Sequence, residues 1–255
     1  MNRTTAARST LALAATAVLA VSGCTDQVSE GKAEHRSFAF KGRSLTVVTD
    51  SKLELVPGGS GGGSADVTRW FKASKVAGTA KTSWTLEGGS TLRLSSKCSG
   101  FVVDCSLRHR VKVPRDVAVT VRAQDGRVIV GGGFRAPLSV RTREGNINVS
   151  GLSAPLTLKT RDGNVRAERL RSRSVRATTA EGYQLIGFSE APSSVRTANR
   201  DGRTTVTVPK APKTAYQVGT RTRDGSAKVA VPRAGEAGHR IDATTRDGRI
   251  ALRTR

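Results

Sequence analysis

Few side chains in this 255-residue chain could carry out chemistry. The three histidines, His35, His109 and His239, are scattered and share no motif. A zinc hydrolase would show H-E-x-x-H, and a hydrolase with a serine nucleophile would show G-x-S-x-G. Neither string occurs. Ser29-Glu30-Gly31-Lys32 matches the S-x-x-K of serine penicillin-recognising enzymes, but the companion S-D-N and K-T-G strings are missing, so the match is read as chance. Calcium would need several oxygen ligands around one turn. The acids here come one to a turn, with arginines beside them. The glycine-rich run from Pro57 to Ser64 lacks the Gly-Lys-Ser/Thr ending of a phosphate loop and reads as a floppy connection. No catalytic residue, no metal and no cofactor is assigned, and the chain is expected not to be an enzyme.

The cysteines say more. Arg3 and Arg8 precede an apolar run from Leu11 to Val21, which is the length of a signal-peptide core and too short to span a bilayer. It ends in Val21-Ser22-Gly23-Cys24. That string resembles the bacterial lipobox, which implies a lipoprotein signal peptide over 1–23 and a lipid anchor on Cys24. The alternative is a plain secretory signal with an incidental cysteine. The remaining pair, Cys98 and Cys105, reads as a disulfide in an exported chain. Two cysteines without clustered histidines make a poor metal site. Bridging them requires Cα atoms about 4.4–6.8 Å apart, so the chain must reverse between them, and Ser99-Gly100 offers the turn.

The acids point to architecture. Seven acid-glycine pairs stand at Asp125-Gly126, Glu144-Gly145, Asp162-Gly163, Glu181-Gly182, Asp201-Gly202, Asp224-Gly225 and Asp247-Gly248, with glycines 19, 18, 19, 20, 23 and 23 residues apart. Such a period marks a repeat. Seven residues before the glycines stand Val119, Leu138, Leu156, Val175, Val195, Val218 and Ile241. Five before are Val121, Val140, Leu158, Ala177, Thr197, Thr220 and Ala243, and three before are mostly threonines. Four after are Val130, Val149, Ala167, Ile186, Val206, Val229 and Leu252, with polar residues between. Each half-repeat is therefore a strand with one buried face, and acid-Gly turns the corner. An antiparallel meander and a β-solenoid both fit. The solenoid is favoured, because the same residue class returns at the same offset in every copy, as in-register stacking requires. Stacked acids would repel one another, and Arg143, Arg161, Arg200, Arg223 and Arg246 beside them offset this.

The expected fold is all-β: a solenoid of about seven coils of 18–23 residues over 115–255, an N-terminal β cap region over 38–114, and a flexible tether over 24–37. In the cap, strands are expected at Leu45–Thr49, Leu53–Val56, Val67–Ala73, Trp84–Leu86, Leu92–Leu94 and Val111–Val113. The longer penultimate coils, with Pro209, Pro212 and Pro232, should put out loops on one edge. The copies with Gln184 and Thr204 two residues after glycine should be the least well packed.

Val113-Pro114 followed by repeated T-x-(D/E)-G-x-(V/I)-x-V units, with Gly88-Gly89-Ser90-Thr91-Leu92 in the cap, resembles the bacterial candidate-adhesin β-solenoid domain family over roughly 38–255. The resemblance implies a β-helical envelope protein and brings no catalytic residues.

The formal net charge is +23, and from Val117 onward 26 basic residues face 11 acidic ones. Arg141, Arg166, Arg176, Arg196, Arg221 and Arg249 take outward strand positions. These faces either attract anionic wall polymers or lipid headgroups, or merely keep the stack soluble. Nucleic acid fits the charge but conflicts with export and with 4% aromatic content. The function expected is a lipid-anchored, non-enzymatic, adhesin-like or scaffold module. It would sit on the extracytoplasmic face of the cell membrane and present a basic surface to wall polymers or an external partner. The alternative is an envelope-stress sensor or accessory of a membrane signalling system, acting by protein–protein contact. An enzyme acting on polysaccharide would need paired carboxylates on one face, which corner acids beside arginines do not supply.

Overall fold

The computed structural model describes residues 31–210 and 214–255, and every regular element among them is a strand. The proposed signal peptide and Cys24 lie outside the described residues. Among these residues no helix is long and apolar enough to cross a membrane.

The body is a parallel two-strand-per-coil solenoid. Its first-half strands are β2 (Ser44–Thr49), β6 (Ala118–Ala123), β8 (Leu138–Glu144), β10 (Leu156–Asp162) and β12 (Ser174–Glu181). Its second-half strands are β3 (Lys52–Pro57), β7 (Val128–Val130), β9 (Ile147–Ser150), β11 (Val165–Leu170) and β13 (Gln184–Phe188). Each set stacks in parallel order, and both run into β14 (Ser194–Val208), which bends through its own corner. Equivalent residues pair: Leu138 with Leu156, Leu156 with Val175, Ile147 with Val165. Columns of Val, Leu and Ile therefore run lengthwise between the two sheets, and Val140, Leu158, Val165, Ile186 and Val206 have no exposed surface. Phe134 and Leu152 from the loops, and Leu170 and Phe188 from the last positions of β11 and β13, are buried in the same core.

The first rung precedes the acid-Gly series. β2 and β3 stack in register on β6 and β7, with Leu45 on Val119 and Leu53 on Val128. The residues expected to belong wholly to the cap thus supply a coil of the stack, turned at Asp50-Ser51. Its inward Leu-x-Val-x-Thr and Leu-x-Leu pattern is that of the later coils.

One further strand adds to this rung in parallel, and beyond it the order becomes antiparallel. β4 (Ser64–Glu87) and β5 (Thr91–Val113) form one long ribbon, and β1 (Ala33–Ala39) pairs antiparallel with β4. The strands expected at 67–73 and 84–86 are the two ends of β4. β5 rests on β2 through Thr91–Leu94 and on β3 through Arg108–Val113, so the ribbon crosses the end of the stack and closes it. β1 corrects the tether, since residues 33–37 are strand. Its side chains before Phe38 are exposed, so backbone pairing and polar contacts to β4, Glu34 with Arg69 and His35 with Thr68, order them without any apolar pattern in the sequence.

The far end holds a second correction. The last two coils, β15 (Gln217–Ala230) and β16 (Arg240–Thr254), do not stack in chain order: β16 lies between β14 and β15. Val195 pairs with Ile241, and Ile241 with Val218. Burial explains the exchange. β16 offers Ile241, Ala243, Ile250 and Leu252, all buried, whereas β15 offers Thr220 and Ala227, both exposed, and leaves Val218 and Val229 only part-buried. The more apolar rung takes the interior place and the polar one faces solvent. The inserted loops supply the length for the crossing, and Tyr216 from one of them is fully buried, edge-on to His239.

Candidate interaction surface

The corners hold the first group of functional candidates. The corner acids from Glu144 onward stack in register, Glu144 on Asp162 on Glu181 on Asp201 on Asp247 on Asp224, with the last two exchanged relative to chain order. Arginines bridge them both along the chain and between rungs. Arg161 lies 2.8 Å from Asp162 and 3.6 Å from Glu144. Arg200 contacts Asp201 and Glu181, both at 2.9 Å, and Arg246 contacts Asp247 at 3.0 Å and Asp201 at 3.7 Å. Hydrogen bonding to Arg246 holds the Asp247 carboxyl below the usual carboxylate range. Each pair is exposed, so solvent and salt screen it and it adds little to stability. The acid-Gly pairs position the fold, and the acids from Glu144 onward each lie within reach of an arginine.

Glycine is required at these corners for a reason beyond the turn. At Gly145, with φ of 137°, a methyl group would overlap the carbonyl oxygen of Gly126 on the rung before. The same overlap recurs from Gly163 to Gly248, so the corner backbones nest too closely for any side chain. Behind the corners Thr142, Thr160, Thr179, Asn199 and Thr245 are buried: Thr160 Oγ1 donates to Gly145 O at 3.4 Å, and Asn199 Nδ2 to Gly182 O at 3.0 Å. Gln184 and Thr204, expected in the least packed coils, are fully buried. Gln184 Nε2 donates to Thr179 Oγ1 and Ala198 O, while its Oε1 and Thr204 Oγ1 have no hydrogen-bond partner.

The cap corner holds what the sequence did not announce. Cys98 and Cys105 are bonded, with Cα atoms 6.6 Å apart. No isolated turn forms at Ser99-Gly100. The ribbon folds back as a pair of strands where Gly78 faces Gly100, both at positive φ, next to a register slip at 74–77. The disulfide clamps this arm beside the Asp50-Ser51 corner. A cleft of about 420 Å3 lies there, lined by Asp50, Ser51, Trp70, Cys105 and Arg108 among others. Arg108 stacks on Trp70 at 4.1 Å and Arg69 on Trp84 at 4.0 Å. Beneath it, His109 is fully buried, with Nδ1 3.0 Å from Ser51 Oγ, which also meets Thr49 Oγ1 at 2.9 Å. Burial, and then the charge of Arg69, push His109 down to about 4. It is neutral at pH 7, and its Nε2 has no partner. A serine nucleophile would want a more basic imidazole oriented by a third group, so this pair fastens the cap strand to the first corner. Two polar residues 58 positions apart gave no sequence signal.

The outward rows complete the surface. Arg141, Arg166, Arg176, Arg196, Arg221 and Arg249 are all exposed. Tyr183, at the corner just before β13, is 45% exposed, where the neighbouring coils carry Asn164 and Arg203.

The Toastrack DUF4097 family model matches residues 110–253. Two solved structures are similar in chain trace. A candidate adhesin from Bacteroides fragilis aligns at 14% identity with a TM-score of 0.48, covering 88% of this chain and 97% of its own. A candidate cell adhesion protein from Clostridium sporogenes aligns at 10% identity with a TM-score of 0.30, covering 88% of this chain and all of its own. No curated protein sequence matches the chain.

Proposed function

The chain belongs to the Toastrack DUF4097 family, and from that premise we propose that it is a non-enzymatic, adhesin-like envelope module. It is held to the outer face of the cytoplasmic membrane by a lipid on Cys24, and it presents its basic sheet faces to anionic cell-wall polymer. The observation that carries the reading is the outward placement of the arginine rows on a stack whose corner acids are already paired with other arginines. The excess positive charge lies on the strand faces, where an extended partner can reach it. A rigid stack keeps those charges at fixed spacing, so little ordering cost is added on binding.

The test is binding of the intact chain to purified wall polymer at low and at physiological salt. Affinity should fall steeply as salt screens the exposed charges. Absence of polymer binding at both salt levels, with recovery of a membrane signalling protein from crosslinked cells, would overturn it in favour of a sensor role.

A further inference from the structure

We propose that Arg122, Arg141 and Lys159 form a three-rung binding ladder for a linear phosphodiester polymer laid along the stack; this rests on the polymer-binding role just proposed and gives it a location.

The three side chains stand on β6, β8 and β10 and pair in register, Arg122 with Arg141 and Arg141 with Lys159. All three are exposed on the outer face of the first sheet. Neighbouring rungs are about 4.8 Å apart, so three cations fall in a line about 10 Å long. Like charges opposed on adjacent strands are unfavourable. One row away, on the same strands, the chain has dealt with that problem: Arg143 and Arg161 are paired with Glu144 and Asp162. Among the described residues the ladder has no such partners. Two rows on one face thus show opposite treatments, and only the row away from the corner keeps its charge unpaired.

The neighbourhood suits phosphate. Two residues earlier on the same strands, Thr120, Ser139 and Thr157 pair in register and form a hydroxyl row about 7 Å from the cations. Cations and hydroxyl donors in parallel lines match an acceptor-rich backbone with a repeating charge. The ladder has ends. Val48 stands on the rung before Arg122, and Thr178 on the rung after Lys159. At the Val48 end a hollow of about 330 Å3 opens, where the Asp50 carboxylate lines the wall beside Arg93, Arg122 and Arg143, so the run of unpaired cations stops there. A line one residue wide fits a single extended chain better than the plane of a bilayer, which would draw equally on Arg176, Arg196 and the other exposed cations.

The experiment titrates the intact chain with poly(glycerol phosphate) and, separately, with phosphatidylglycerol vesicles. It compares the natural sequence with two variants of equal charge loss: Arg122→Gln/Arg141→Gln/Lys159→Gln on the ladder, and Arg203→Gln/Lys228→Gln/Arg249→Gln on the second sheet. Thermal melts establish that all three proteins are folded. The ladder variant should lose about a hundredfold in polymer affinity, and its log-affinity against log-salt slope should shrink by about two, with a much smaller change in the second-sheet variant. Equal losses in the two variants would overturn the ladder while leaving polymer binding intact. No polymer binding by the natural sequence would overturn both proposals. A ladder effect seen with vesicles and not with polymer would overturn the choice of partner.

Discussion

Acidifying the protein through the range in which an ordinary histidine titrates should loosen the cap from the first rung. His109 has no exposed surface, faces Arg69 across the β4–β5 ribbon and meets Ser51 through Nδ1. Its pKa falls from 6.5 in the open chain to about 4 in the fold. Above pH 6.5 the imidazole is neutral in both states and contributes no pH dependence. Between pH 6.5 and 4 the unfolded chain takes up a proton that the folded chain refuses, so stability falls with pH. The loss is about 2 kcal/mol by pH 5 and about 3 kcal/mol once pH 4 is passed, at 1.36 kcal/mol per pKa unit. The assay is urea unfolding across that range for the natural sequence and for His109→Phe, which fills the site and cannot titrate. Thr49 still holds the Ser51 hydroxyl in the variant. The difference between the two proteins isolates His109 from the carboxylates. A difference that stays flat from pH 7 to pH 4 would show that the imidazole is not desolvated, and the account of the cap junction would fail.

Two further outcomes are expected. Gly145→Ala should cost about 3 kcal/mol, combining left-handed backbone strain with the displaced Gly126 carbonyl; a denaturation midpoint within about 0.5 kcal/mol of the natural protein would refute the nested corners. Hydrogen exchange should find the amides of β16 better protected than those of β15, although β15 comes earlier in the chain; the reverse order would refute the exchanged rungs.

What was legible from residues alone was whatever repeats locally. Alternation of branched aliphatics at fixed offsets from Gly126 to Gly248 identified the strands, their buried faces and the corners, because those choices depend on neighbours within one coil. The Cys98–Cys105 pairing was legible for a similar reason, being close in sequence. His109 and Ser51 were not, since their contact depends on where the ribbon crosses the end of the stack. Nor was the nesting of Gly145 against Gly126, which comes from packing of one rung upon another rather than from turn geometry.

The sequence by itself determined that each coil is a strand, a corner and a strand, with apolar side chains inward and arginines outward, since alternation and a flexible corner leave little else to do. Only the tertiary structure decided the order of the last rungs and the closure of the first. Those choices follow from competition between whole rungs for the core, where Ile241, Ile250 and Leu252 outweigh Thr220 and Ala227, and no single coil contains that comparison.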